Sequence, residues 1–270
     1  MAVFNRDRLT EIFDNTLGMC CERELETKVR RSVEGQKVIL ETDTVTCPEE
    51  KTDRHAKVVV SKKRTLEAAK GYAGEQICVH NFASFKHPGG GVERGAVAQE
   101  ECICRISTLF PCLTAPEAQE KFYQPHRRMG NPLGNDDCIY TPDVVVFKTD
   151  TPYPEELHRK EWYKVNVVTC AAPNLRTYRG HVTQKELKEL HEKRMGRILD
   201  IAKANGNRVV ILGAFGCGVF QNSPEVVASA CVTLVNQYRK DFDVMEFAVY
   251  CPPKDTRNYD VFSRRLKVFQ

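Results

Sequence analysis

The chain has no apolar run approaching the roughly 20 residues needed to cross a bilayer and no low-complexity linker. Its segment "MAVFNRDRLTEIFDN" sets acids among bases and holds no apolar stretch, so neither a membrane span nor an export signal is expected. Neither C-x-x-C nor H-x(3–5)-H spacing occurs, although there are 12 cysteines, which argues against structural zinc. Disulfide frameworks belong to shorter, exported chains. The cysteines, Cys78, Cys170 and Cys251 among them, therefore read as small buried hydrophobes of a protein in a reducing cytoplasm. A large excess of one charge is also missing, since 40 Lys and Arg stand against 36 Asp and Glu. A net +4 admits an anionic ligand and gives no ground for direct nucleic-acid binding.

What is present is a recurrence of short, β-branched apolar runs between helical patterns. Strands are expected at 37–40, 57–60, 77–82, 144–147, 165–170, 208–212 and 244–250, several of them apolar on both faces, as in a sheet covered on each side. Thr183 with Glu186 forms a capping box ahead of Leu187, Leu190, Ile198, Leu199 and Ala202 at helical spacing, and "NGN" at 205–207 stops that helix. Ser223 and Pro224 open another helix through about 239. The first 35 residues also read as helical. Strands alternating with helices predict a three-layer α/β/α sandwich, with ligands at the C-terminal ends of the strands.

Three strand-end loops follow from that rule. After strand 77–82, "ASFKHPGGG" leads to a helix beginning near Gln99, with Ile103, Ile106 and Leu109 on its apolar side. Three consecutive glycines there indicate a turn or backbone pressed against a ligand. The adjacent Glu100 and Glu101 are either helix-end charges complementing the dipole or acids with a chemical task. After strand 208–212, "GAFGCGVFQNSPE" feeds a capped helix, an arrangement that suits phosphate without matching the P-loop or the G-x-G-x-x-G fingerprint. "AAPN" at 171–174 is either a small-residue ligand approach or a plain strand exit. His126, Arg127 and Arg128 are either an anion-binding edge or, as is usual for exposed bases in a loop, simply solvated, and Trp162 reads as core rather than as a ligand platform. Asp136 and Asp137 have no companion cluster that would make them metal ligands.

The triple glycine, seven residues and "QEE" together resemble the signature of the bacterial-type poly(ADP-ribose) glycohydrolases, whose catalytic domain is a macrodomain. "TLEAAKGYA" at 65–73, "IYTPDVVVF" at 139–147 and "GAFGCGVFQN" at 213–222 are similar to that family too. The resemblance implies one macrodomain-like unit over residues 1–270, with a mixed central sheet and residues 1–35 as a helical extension. It also implies hydrolysis of ribose–ribose O-glycosidic bonds in poly(ADP-ribose) or ADP-ribosylated proteins. By the same resemblance Glu101 is the catalytic acid, Glu100 orients the ribose and Gln99 completes the motif. Gly89, Gly90 and Gly91 then wrap ribose and diphosphate, and Gly216, Cys217, Gly218 and Val219 form a second diphosphate loop beside Phe220. Asn81 and Ser84 stand where strand-end contacts to the ribose are made, although Ser84 departs from the asparagine of other macrodomain branches. Arg64, Thr65 and Glu67 occupy the turn that often reads the base.

Consecutive helical residues point about 100° apart, so Glu100 and Glu101 cannot straddle a glycosidic bond as the usual carboxylate pair does. A single acid that later serves as base fits better and needs no metal or cofactor. Two other functions remain open at this point: an ADP-ribose reader, and a hydrolase of mono-ADP-ribosylated proteins or O-acetyl-ADP-ribose.

Overall fold

Every one of the expected strands joins a single seven-stranded sheet. The computed structural model describes residues 4–48, 54–252 and 254–270. The strands are β1 (Lys37–Ile39), β2 (Lys57–Ser61), β3 (Ile77–Phe82), β4 (Cys138–Val146), β5 (Tyr163–Cys170), β6 (Val209–Leu212) and β7 (Val244–Ala248), in the order β1-β4-β5-β3-β6-β7-β2. Pairings from β5 through β3, β6 and β7 to β2 are parallel, whereas β1–β4 and β4–β5 are antiparallel. The sheet is thus mixed, with β3 at its centre.

Alternation along the strands sends neighbouring residues to opposite layers. In β6, Val210 and Leu212 join a core with Met195, Ile198, Leu234 and Phe262. Val209 and Ile211 join the other core, with Phe13, Leu66 and Ile103. The first layer is built by α8 (Gln184–Ala204), α9 (Pro224–Tyr238) and α10 (Arg257–Leu266). The second gathers α1 (Arg6–Cys20), α2 (Arg23–Glu34), α3 (Thr65–Lys70), α4 (Gln99–Ile106), α5 (Leu109–Leu113), α6 (Pro116–Ala118) and α7 (Gln124–Met129). The result is the α/β/α sandwich expected from the sequence. Thr183 Oγ1 accepts from Glu186 N at 3.2 Å while Glu186 Oε2 accepts from Thr183 N at 2.8 Å, so the capping box forms. Ser223 caps α9.

Two boundaries and one residue assignment differ from the sequence expectation. The helix after the triple glycine ends at Ile106, and Leu109 belongs to α5. Ser107 turns extended to bridge Val146, and its hydroxyl donates to Ile103 O at 2.8 Å, which closes the helix. β4 begins at Cys138, ahead of the expected 144, because a bulge at Pro142–Asp143 lets one strand continue through polar residues. His126 is a buried helical residue rather than a solvated loop base. Its Nδ1 lies 2.6 Å from Phe122 O, its Nε2 lies 2.7 Å from Asn135 Oδ1, and Phe85 stacks on its ring.

The helical extension is part of the core. Phe13 packs edge-on against Phe110 with ring centroids 4.9 Å apart. Lys148, buried beside α1, donates to Ile12 O at 2.9 Å and to Thr16 Oγ1 at 2.7 Å. Asp136 takes Arg194 Nε at 2.9 Å and Lys193 Nζ at 2.6 Å, so it serves as an ion-pair anchor between the β4 approach and α8.

Candidate active site

A cavity of about 480 Å³ opens at the C-terminal ends of β3, β6 and β7. Its walls come from the loop after β3, from α4, and from the loop after β6. Ser84, Gly90, Gln99, Glu100, Glu101, Gly216, Gly218, Val219 and Phe220 all line it. Asn81, Gly89, Gly91 and Cys217, expected beside them, are not among the lining residues.

α4 is seated by Gln99. Its Oε1 accepts from Phe82 N at 2.8 Å, and its Nε2 donates to His80 O at 2.7 Å and Thr65 Oγ1 at 3.1 Å. One side chain thus bonds β3 beyond Val79, the last residue in its pairing with β6, and fixes where the helix starts. The next two residues bring their carboxylates to the glycine turn, and the surroundings of the two differ. Glu100 is buried, and both of its oxygens are engaged. Oε2 accepts from Ser84 N at 2.8 Å, while Oε1 accepts from Gly89 N at 3.1 Å and lies 3.5 Å from Asn81 Nδ2. Burial pushes its carboxyl well above the usual glutamate range, against the pull of the Ser84 N–H, and the neighbouring Glu101 charge adds to the rise. Glu101 Oε1 accepts from Gly91 N at 2.8 Å. Its Oε2 has no hydrogen-bond partner among the described residues, and Glu101 lines the cavity.

The triple glycine approaches the glutamates themselves. A Cβ on Gly90 would lie 2.4 Å from Glu101 Oε1 and 3.2 Å from Glu100 Oε2, and the residue has φ +62. Only glycine lets the turn wrap both carboxylates and aim two N–H groups at them. Both acids therefore lie on the same side of the cavity, which suits one proton-transferring group with a neighbour that positions.

The loop after β6 is tied down by Asn222. Its Nδ2 donates to Pro173 O at 2.8 Å and Gly216 O at 3.1 Å, and its Oδ1 lies 3.0 Å from His191 Nε2. Burial pulls His191 down to about 4, so the ring is neutral when it makes that bond. A Cβ on Gly216 would lie 2.5 Å from Asn222 Nδ2 and 2.6 Å from Ala172 Cβ, which accounts for a glycine at φ +76. The "AAPN" segment is thereby the packing partner of this loop. The N–H groups of Gly216, Gly218, Val219 and Phe220 find no protein acceptor among the described residues. Such a run of free N–H groups at a cavity edge suits an anion.

The far end of the cavity holds residues the sequence reading did not single out. Asp150, Tyr250 and Asn258 line it beside Arg64 and Thr65. The Arg64 guanidinium lies over the Tyr250 ring at 4.4 Å and 3.7 Å from Asp150 Oδ1. Asp150 also caps α3, with Leu66 N donating to Oδ2 at 3.0 Å. Glu67 turns away from the cavity and accepts from Arg64 N at 3.1 Å. Tyr250 was within reach of the strand-end rule, since it follows β7 closely. Asp150 and Asn258 carry no local signal.

A family model described as microbial-type PARG, catalytic domain, matches residues 15–149. The chain belongs to this family. Among solved structures it is similar to the poly(ADP-ribose) glycohydrolase of Thermomonospora curvata, with 30% identity and a TM-score of 0.86 over 96% of this chain and 100% of that one. The same enzyme bound to the inhibitor ADP-HPD matches with a TM-score of 0.82, at the same identity and coverage. The poly(ADP-ribose) glycohydrolase of Deinococcus radiodurans in complex with ADP-ribose is 28% identical, with a TM-score of 0.76 over 90% of this chain and 98% of that one. Comparison with curated protein sequences gives no match. The family's fold is the one described above, a macrodomain-like sandwich.

Proposed function

We propose that the protein hydrolyses the ribose–ribose O-glycosidic bonds of poly(ADP-ribose) and releases ADP-ribose. The observation that carries the assignment of roles is the unequal engagement of the paired glutamates. Glu100 has both oxygens committed to the protein, while Glu101, which lines the cavity, has just Oε1 engaged. Glu101 protonates the leaving ribose oxygen as the glycosidic bond breaks, and an oxocarbenium-like centre forms. The resulting carboxylate then takes a proton from the attacking water, which returns the acid to its starting state. Glu100 fixes the glycine turn and offers its remaining lone pairs to the ribose hydroxyls, which is positioning rather than proton transfer. The free N–H groups of Gly216, Gly218, Val219 and Phe220 receive the diphosphate, whose charge stabilises the cationic centre.

Relatives with poly(ADP-ribose) glycohydrolase activity and bound ADP-ribose support the substrate class. The cysteines are all free thiols, which supports a reducing compartment such as the cytoplasm. No helix among the described residues is long and apolar enough to cross a membrane.

The test offers purified protein poly(ADP-ribose), a mono-ADP-ribosylated protein and O-acetyl-ADP-ribose in parallel, with ADP-ribose release as the readout. Release from the polymer is expected, and Glu101→Gln should lower it by about 10²-fold or more while ADP-ribose affinity changes little. Binding without release from any of the three would make the protein a reader. Full turnover in Glu101→Gln would remove the acid from the mechanism.

A further inference from the structure

Arg105 lies on α4 one helical turn beyond Glu101 and is almost wholly buried. Its hydrogen bonds go to backbone carbonyls of two other segments. Nε donates to Leu9 O of α1 at 3.2 Å, and Nη2 donates to Ala96 O, in the loop between the triple glycine and α4, at 2.5 Å. A buried guanidinium carries a large desolvation cost, so its placement calls for a reason beyond packing. The reason is visible one step further. Ala96 N donates to Gly91 O at 3.2 Å, and Gly91 N donates to Glu101 Oε1 at 2.8 Å. The series leaves α4 at Arg105, passes through Ala96 and Gly91, and returns to α4 at Glu101. α1 secures the same residue a second time, as Thr16 Oγ1 donates to Arg105 O at 2.6 Å.

We propose that Arg105 is a positioning residue for Glu101: its guanidinium holds the Gly91–Ala96 turn, and through it the N–H that orients the carboxylate, while tying the turn to α1. The proposal rests on the assignment of Glu101 as the acid. Only a forked donor reaches both carbonyls, and a lysine ammonium cannot place its charge between them in the same way.

The test is a pair of variants read for turnover and affinity separately. In Arg105→Lys, kcat on poly(ADP-ribose) should fall about tenfold or more while the ADP-ribose Kd stays within about threefold, because misplacing a reacting group costs rate rather than ground-state binding. Gly91→Ala disturbs the series from its other end and leaves Arg105 in place. Its Cβ would meet Ala96 Cβ at 3.0 Å, and the same split of kcat from Kd is expected. In a Glu101→Gln background neither substitution should lower the residual rate further, since the group they orient is gone. Undiminished kcat in folded Arg105→Lys overturns the proposal, whatever Gly91→Ala does. So does a loss that is equal in kcat and affinity and persists in the Glu101→Gln background, which marks a general structural role. If Arg105→Lys does not fold, Arg105→Gln decides by the same criteria, since the Cβ of Gly91→Ala would itself lie 3.6 Å from Glu101 Oε1. Failure of the acid assignment shows up independently, as full activity in Glu101→Gln by itself.

Discussion

Glu100 and Glu101 are neighbours in the chain, yet the turn around them gives each a different electrostatic setting. The raised Glu100 carboxyl means the folded state keeps a proton that the unfolded chain releases near the ordinary value of 4.5. Stability from this group is therefore fully present below about 4.5 and is lost as pH rises towards the native value. Melting temperatures of the wild type and Glu100→Gln, measured from pH 4 upwards, should show the wild type losing ground relative to the variant over that window. A constant difference across the range would mean the carboxyl titrates alike in both states. Gly90→Ala tests the same few ångströms sterically. Its Cβ would fall 2.4 Å from Glu101 Oε1 on backbone at φ +62, so turnover should drop sharply, by about 10²-fold if the carboxylate is displaced by an ångström. Affinity for ADP-ribose should suffer less, and steady-state kinetics beside a binding titration separates the two effects. The residues for this site could be read from the sequence, because glycine and paired acids are rare enough together to stand out. That the glycines would press on the acids, rather than on a ligand alone, could not be read. It depends on α4 folding back over the turn, a relation no spacing encodes.

At the scale of elements, the apolar runs were legible because inner strands such as β6 are buried along their whole length and read as unbroken apolar sequence. The misplaced ends have local causes that the same pattern conceals. Ile103, Ile106 and Leu109 keep helical spacing straight across Ser107, where the backbone becomes extended. Asp143, at φ +54, allows β4 to continue through a bulge that reads as a loop. The helical extension was foreseen as an appendage, but α1 is docked by buried polar contacts against the catalytic layer. Lys148 shows the cost of that docking. Burial pulls its ammonium from 10.5 down to about 8. Between those values the unfolded chain holds the proton more tightly than the folded one, so this group makes the protein more stable as pH rises from about 8 towards 10.5. Lys148→Met removes the titration. Across pH 7 to 10, the melting temperature of the wild type should rise relative to that of the variant. A difference that stays flat or moves the opposite way would mean that the ammonium is not desolvated where α1 docks.

At the scale of the whole molecule, strand order decides how the chain unfolds. β3, from the first third of the sequence, lies between β5 and β6, and β2 pairs with β7. Cutting between residues 1–135 and 136–270 would strip the central strand of both its neighbours. The order itself was not legible: runs of similar apolar strands fit many parallel arrangements, and only side-chain packing across the sheet selects one. We propose that residues 1–270 behave as one cooperative unit. Calorimetry should then show a single transition in which the van't Hoff and measured enthalpies agree, at about 190 kcal/mol near 60 °C for a chain of this length. Because the cavity is walled by loops from both halves of the sequence, ADP-ribose should move that one transition upwards as a whole, by about 2.7 kcal/mol of added stability at a hundredfold excess over Kd. Two transitions of which ADP-ribose shifts just one would show that the halves fold independently and that a single half carries the site.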